Sequence, residues 1–180
     1  MSLTLATLST GLVLAALGGL LLWNGPAVGA TARALPRSRR AAWVFFGIGA
    51  AWFLWAVAHL GEADQILPRP LLLLLFGAVA VLSFKYAADF LAVRGLALLA
   101  LLIAAELLEA AFMERAYPQR KFLPAVTYGL LIVPALYFAG YPYRLRDFFG
   151  WLFARPARPR VLGGAIAAYG VLLTAIAFTY

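Results

Sequence analysis

The 180-residue sequence contains no cysteine and a single histidine, His59. The missing cysteines exclude disulfides, thiolate metal sites, iron–sulfur clusters and cysteine nucleophiles. One histidine excludes a bis-histidine haem, so this chain alone is not expected to hold a haem or an iron–sulfur cluster. The few serines stand in no Gly-x-Ser-x-Gly motif, and no glycine-rich phosphate loop is present. The sequence therefore offers no motif typical of an enzyme.

Charged residues are also scarce. They make up 12% of the chain, against 65% hydrophobic residues, whereas soluble domains carry about 25% charged residues. Such a chain cannot cover a soluble globule with polar surface, so lipid must be its solvent. Only helices and closed barrels satisfy their backbone groups in lipid, and the apolar runs lack the alternation of barrel strands. The sequence predicts an all-α, polytopic membrane bundle.

The apolar runs predict about six transmembrane helices, arranged as three hairpins in a single domain over residues 1–180. No positive charge precedes the first run, so we interpret it as a retained membrane helix and not as a signal peptide. We expect Gly95 to break the chain before the fourth span and Pro134 to kink the fifth. The predicted spans are 3–23, 41–60, 70–91, 95–112, 122–139 and 161–178.

The segment 145–154 is too short and too polar to span. Its aromatic residues lie between arginines, a pattern typical of an amphipathic helix in the membrane interface. Arg144, Arg146 and Arg155 around it are candidates for holding lipid phosphate head groups, since guanidinium groups bind phosphate through two donors.

Basic residues are distributed unevenly among the five loops. Of the fifteen, eleven lie in the first, third and fifth loops and four in the second and fourth. The positive-inside rule then places both termini outside the cytoplasm, and we expect an integral protein of a bacterial inner membrane. Because orientation in the membrane accounts for the net charge of +8, no nucleic acid partner is expected.

Two acidic residues, Glu106 and Glu109, fall inside the fourth apolar run. A carboxylate in hydrocarbon costs about 2.5 to 3.5 kcal/mol, so both are expected to face protein or a water-filled cavity. Their three-residue spacing makes them neighbours on one helical face.

The predicted topology brings His59, Glu62 and Asp64 to the depth of Glu106 and Glu109. Such a cluster could bind a divalent cation or relay protons, with His59, Glu62 and Asp64 as the candidate metal ligands. In the alternative interpretation, Glu109 reaches the head groups, Glu106 pairs with an arginine or a tyrosine hydroxyl, and His59 caps its helix.

Lys85 and Asp89 are further candidates for an ion or proton path. They lie four residues apart in the predicted third span, where they can pair on one face of a helix.

Small residues recur at four-residue spacing and predict close helix packing, within the chain or between subunits. These pairs are Gly11 with Ala15, Gly47 with Ala51, Gly163 with Ala167 and Gly164 with Ala168.

Three classes of function fit these features. The first is a structural or accessory subunit, whose partners are the lipid bilayer and other membrane subunits or further copies of itself. The second is a channel or transporter that uses Glu106 and Glu109. The third is a lipid-modifying membrane enzyme that uses the basic loops.

Overall fold

The computed structural model describes residues 1–61, 66–114 and 116–180, and this part of the chain is all-helical. It forms eight helices, of which six are long and apolar enough to cross a membrane. The membrane bundle predicted from the sequence is therefore confirmed. In chain order the helices are α1 (Leu3–Trp23), α2 (Pro26–Ala34), α3 (Arg39–Ala58), α4 (Arg69–Tyr86), α5 (Leu91–Met113), α6 (Pro118–Gly140), α7 (Tyr143–Leu152) and α8 (Ala157–Ala177).

Polar caps mark several helix ends. The Ser2 hydroxyl accepts the N–H of Leu5 at 3.3 Å at the start of α1, and the Ser38 hydroxyl accepts the N–H of Ala41 at 3.2 Å at the start of α3. Each satisfies a donor that has no partner inside its helix. Asn24, in the left-handed region at φ 48°, ends α1.

The turn between α4 and α5 differs from the prediction. The third span was expected to reach residue 91, but α4 ends at Tyr86, and Phe90 takes a left-handed conformation at φ 57°. The reversal lets Leu91 and Ala92 pack in a core cluster with Ala42 of α3, a burial that a continuous helix would forfeit. The predicted boundary is therefore wrong.

Gly95 does not break a helix, as the sequence suggested, but lies in the first turns of α5. A Cβ atom there would collide with the backbone nitrogen of Phe46 in α3. Glycine is needed at this position because the two parallel helices come close enough for their backbones to touch.

A second close approach, repeated along both helices, joins α1 to α8, which run antiparallel. A Cβ atom on Gly11 would lie 2.8 Å from the Gly170 carbonyl oxygen, and one on Gly163 would lie 2.7 Å from that of Gly18. These glycines are seven residues apart on each helix, so they return to the same face every two turns. Close packing at Gly11 and Gly163 is confirmed as a contact within the chain.

The other two predicted small-residue pairs are not used in this way. A Cβ atom on Gly47 would meet nothing within 4 Å, and one on Gly164 would meet only the tip of Leu22 at 3.7 Å. The reason is rotational: both glycines lie on helix faces that point away from the nearest neighbouring backbone.

Helix α5 is central to the bundle. It packs against α3, α6 and α1, whereas α4 packs mainly on α3 through aromatic contacts. No residue of α4 is buried within the described chain. The strongest pairings, α1 with α8 and α3 with α5, therefore join helices that are not consecutive, although the sequence predicted three hairpins.

Pro134 interrupts the regular hydrogen bonding of α6. Pro134 has no N–H to donate to the carbonyl of Leu130, and the preceding residues 127–132 widen into a π-helical segment. The Thr127 hydroxyl donates to the Leu123 carbonyl at 2.8 Å. The irregularity predicted at Pro134 is thus present, in the form of a π segment.

Two short helices gather the basic loops at one end of the bundle. A Cβ atom on Gly29 of α2 would lie 3.1 Å from the Phe153 ring that follows α7. In the same region, the Arg37 guanidinium lies 5.2 Å from the centre of the Phe90 ring. This contact joins the first loop to the third. The sequence predicts α7 at 145–154, and its place at a membrane surface stays a prediction. Helix α2 occupies a segment that the sequence predicts as part of the first loop.

The α1–α8 contact generates a stability prediction. Gly18→Ala should destabilise the protein by about 1 to 3 kcal/mol, because the new methyl group would overlap the backbone of α8. Thermal unfolding in mild detergent measures this loss. Gly19→Ala, one residue away in open space, is the matched control, and equal melting temperatures for the two variants would contradict the prediction.

Candidate functional site

Glu106 lies in an open crevice between α1, α3, α5 and α6. The crevice has a volume of about 480 Å³ and walls that are almost entirely apolar. Its polar side chains are Glu106 of α5 together with Ser9 and Thr10 of α1, and Trp52 of α3 also lines it. The volume falls within the range of about 300 to 1,000 Å³ that is typical of small-molecule sites.

Glu106 is exposed although it lies well within the apolar helix α5. At about 1.5 Å rise per residue, it lies about 6 Å along the helix axis from the midpoint of α5. Its side chain is exposed, and it forms no hydrogen bond or ion pair with any other described residue. The alternative interpretation, in which Glu106 pairs with an arginine or a tyrosine hydroxyl, finds no such partner among the described residues, because the helices around Glu106 present apolar side chains, short hydroxyls and Trp52 there.

The two hydroxyls near Glu106 are turned toward their own helix. Ser9 and Thr10 both donate to the Ala6 carbonyl, at 3.2 Å and 2.7 Å. With their protons used in this way, their oxygen atoms are left as acceptors. The polar lining of the crevice is consequently suited to a positively charged or donating group.

Glu109 belongs to a different crevice, on the other side of the contact between α5 and α6. This crevice measures about 530 Å³ and is lined by Arg120 and Lys121 as well as Glu109. Arg120 also donates to the Ala111 carbonyl at 2.9 Å, near the end of α5. The structure therefore places Glu106 and Glu109 in separate crevices, and among the described residues arginine and lysine side chains line only the crevice of Glu109.

His59 caps α3, as one of the two interpretations predicted. Its backbone N–H bonds to the Ala56 carbonyl at 3.1 Å, and its ring Nδ1 lies 2.8 Å from the Trp55 carbonyl oxygen. The His59 and Trp55 rings are also in contact, with centroids 4.5 Å apart. These local contacts give His59 a structural role that requires no bound ligand.

The metal site predicted at His59, Glu62 and Asp64 stays a prediction. Among the described residues, no group of three histidine, aspartate or glutamate side chains could hold a metal ion. Glu62 and Asp64, the other two candidate ligands, lie outside the described residues.

Lys85 and Asp89 are not paired. Lys85 lies in the last turn of α4, and Asp89 lies in the turn beyond it, so the helical face that the sequence predicted for them does not exist. The Lys85 ammonium instead lies 5.4 Å from the centre of the Tyr86 ring. Their role in an ion or proton path stays a prediction without geometric support.

The arginines at the basic end are exposed and have few acidic neighbours. Arg146 forms an ion pair with Asp147 at 2.8 Å, the one ion pair found among the described residues. A hydrogen bond with the Tyr143 side chain raises the pKa of Arg144 above its usual value, so this guanidinium stays charged. Arg155 is exposed beyond α7. Binding of lipid head groups by these three arginines stays a prediction.

The fold and this crevice define a multi-pass integral membrane protein in contact with the lipid bilayer. The chain matches no protein-family model, no curated protein and no solved structure.

Sequence reasoning identified Glu106 but missed the residues that surround it. Ser9, Thr10 and Trp52 come from two other helices, and no spacing in the sequence relates them to Glu106. Only the packing of α1 and α3 against α5 brings them to the same crevice.

Because Glu106 has no polar partner among the described residues, its charge should not stabilise the fold. Glu106→Gln should leave the bundle at least as stable as the parent, because it removes a charge from an apolar crevice. Chemical or thermal unfolding in mild detergent measures the change. Glu109→Gln, which loses the attraction of nearby basic residues, should cost up to about 1 kcal/mol. A larger loss for Glu106→Gln than for Glu109→Gln would reveal a polar partner of Glu106.

Proposed function

We propose that this protein is a structural or accessory membrane subunit that works within an oligomer or a larger membrane complex. One observation carries the proposal: Gly47 and Ala51 of α3 form a small-residue pair that faces away from the rest of the chain. Ala51 is exposed, and a Cβ atom on Gly47 would meet nothing within 4 Å.

Gly19 and Gly77 also lie on open helix faces, but they are followed four residues later by the bulky Trp23 and Val81, whereas Gly47 is followed by the exposed Ala51. A glycine in such a small-residue pair needs an explanation. It weakens a helix by about 0.5 to 1 kcal/mol relative to alanine, yet in lipid it gains nothing unless another helix approaches closely. The same chain uses Gly11, Gly18, Gly95, Gly163 and Gly170 for such approaches. A second helix from outside the chain, seated on Gly47 and Ala51, would give this pair the same role.

Orientation in the membrane is part of the proposal. The gathering of α2, α7 and the third loop at one end supports a strongly basic cytoplasmic end. Both termini are then outside the cytoplasm, and a bacterial inner membrane is the membrane we propose.

If the protein is a subunit, the mass of the assembly that it forms should depend on Gly47. Purified in mild detergent, the chain should form an oligomer or retain companion proteins, and Gly47→Leu should disrupt that assembly while its melting temperature changes little. Size-exclusion chromatography with light scattering measures the mass, and mass spectrometry of the preparation identifies companions. Gly19→Leu, at another open glycine, is the control. A monomer without companions in detergent and in nanodiscs would contradict the proposal.

The orientation is tested separately by cysteine labelling, for which a cysteine-free chain needs no background mutations. Ala34→Cys and Ala154→Cys, both exposed at the basic end, should be protected from an impermeant thiol reagent in intact cells. Gln119→Cys, exposed at the opposite end, should react. The reverse labelling pattern would show that the protein has the opposite orientation in the membrane.

A second function, transport or channel activity, is favoured by the crevice at Glu106. An exposed carboxylate at this depth is the feature that a path for cations would need. Loss of flux in Glu106→Gln with intact assembly would favour this role over the purely structural one.

A further inference from the structure

We propose that the crevice at Glu106 is a binding site for a lipophilic cation, meaning a monovalent ammonium or phosphonium ion with apolar substituents. This inference goes beyond the subunit role and does not depend on the oligomeric state. If the chain also transports, the same chemistry defines its class of substrate.

The first argument is charge complementarity. Glu106 is the single acidic side chain in an otherwise apolar crevice, and no described residue neutralises it. Met1 also lines the crevice, but its amino group forms no ion pair with Glu106 within the described chain. An ion that carries one positive charge removes the cost of the lone carboxylate when it binds.

The second argument concerns the walls. Val13, Leu14 and Leu107 provide apolar surface on two sides, and Trp52 adds an aromatic ring of the kind that attracts cations. A hydrated metal ion would gain nothing from these walls, and the crevice offers it too few oxygen ligands. A cation covered by apolar groups uses both the walls and the charge.

The third argument is depth, which separates this ligand from an ordinary lipid. An amino head group is held at the interface, about 15 Å from the bilayer centre. With α5 centred in the bilayer, Glu106 lies about 6 Å from the bilayer centre, too deep for a head group that stays hydrated. A lipophilic cation can leave the interface and reach it through the open side of the crevice.

The experiment measures binding of tetraphenylphosphonium to the full chain in phosphatidylcholine nanodiscs, with empty nanodiscs subtracted. Tetraphenylborate, an anion of matched size and shape, is the control ligand. We expect saturable binding of the cation alone. Glu106→Gln should weaken it about tenfold or more, which is the size of a charge-assisted contact, and Glu109→Gln, in the other crevice, should change it less than twofold.

A second variant keeps the test independent of the carboxylate. Val13→Trp fills the crevice but retains Glu106, so it should also weaken binding of tetraphenylphosphonium. The proposal is overturned if the parent chain shows no saturable binding, if tetraphenylborate competes equally, or if either Glu106→Gln or Val13→Trp binds as well as the parent.

Repeating the measurement in phosphatidylethanolamine nanodiscs tests whether a lipid head group occupies the crevice. Strong competition there would assign the crevice to an amino head group and overturn the proposal. The mass measurement that tests the subunit role is unaffected by any of these results.

Discussion

Helices in a bilayer gain little by hiding leucine from lipid tails that are equally apolar, so their association depends on how closely backbones can approach. This constraint explains the architecture described above. The glycines of α1 and α8 allow backbone contact along both helices, and Gly95 allows it between α3 and α5. Helix α4, which offers no such glycine contact, packs through aromatic rings and keeps most of its side chains outward. The close backbone contacts are therefore concentrated in two helix pairs, α1 with α8 and α3 with α5.

The six spans were predictable because length and hydropathy are properties of each segment alone. The end of α4 was not, because it depends on the burial of Leu91 and Ala92 against α3. Gly95 illustrates the same limit. A glycine in an apolar run is compatible with a break or with a close contact, and only the position of Phe46 decides between them. Helix α2 had a local signal, a proline in its first turn after Gly25, which the basic residues around it obscured.

The candidate site shows the difference between local and non-local features again. His59 was predicted as a helix cap, and the bond to Trp55 four residues earlier is local. Glu106 and Glu109 were predicted as one site from their spacing, but α6 packs between their two crevices. Their separation gives them opposite electrostatic surroundings, basic for Glu109 and apolar for Glu106. A sequence records the spacing of two acids, whereas their environments are set by which neighbouring helix each one meets.

The contact between α1 and α8 also has a consequence in time. Gly18 and Gly163 are separated by 145 residues of chain, and synthesis proceeds at about 5 to 20 residues per second. Helix α1 therefore waits in the membrane for roughly 7 to 30 seconds before α8 is made. Throughout that interval its glycine face is open to lipid and to whatever assists insertion, and it is covered only when α8 is made.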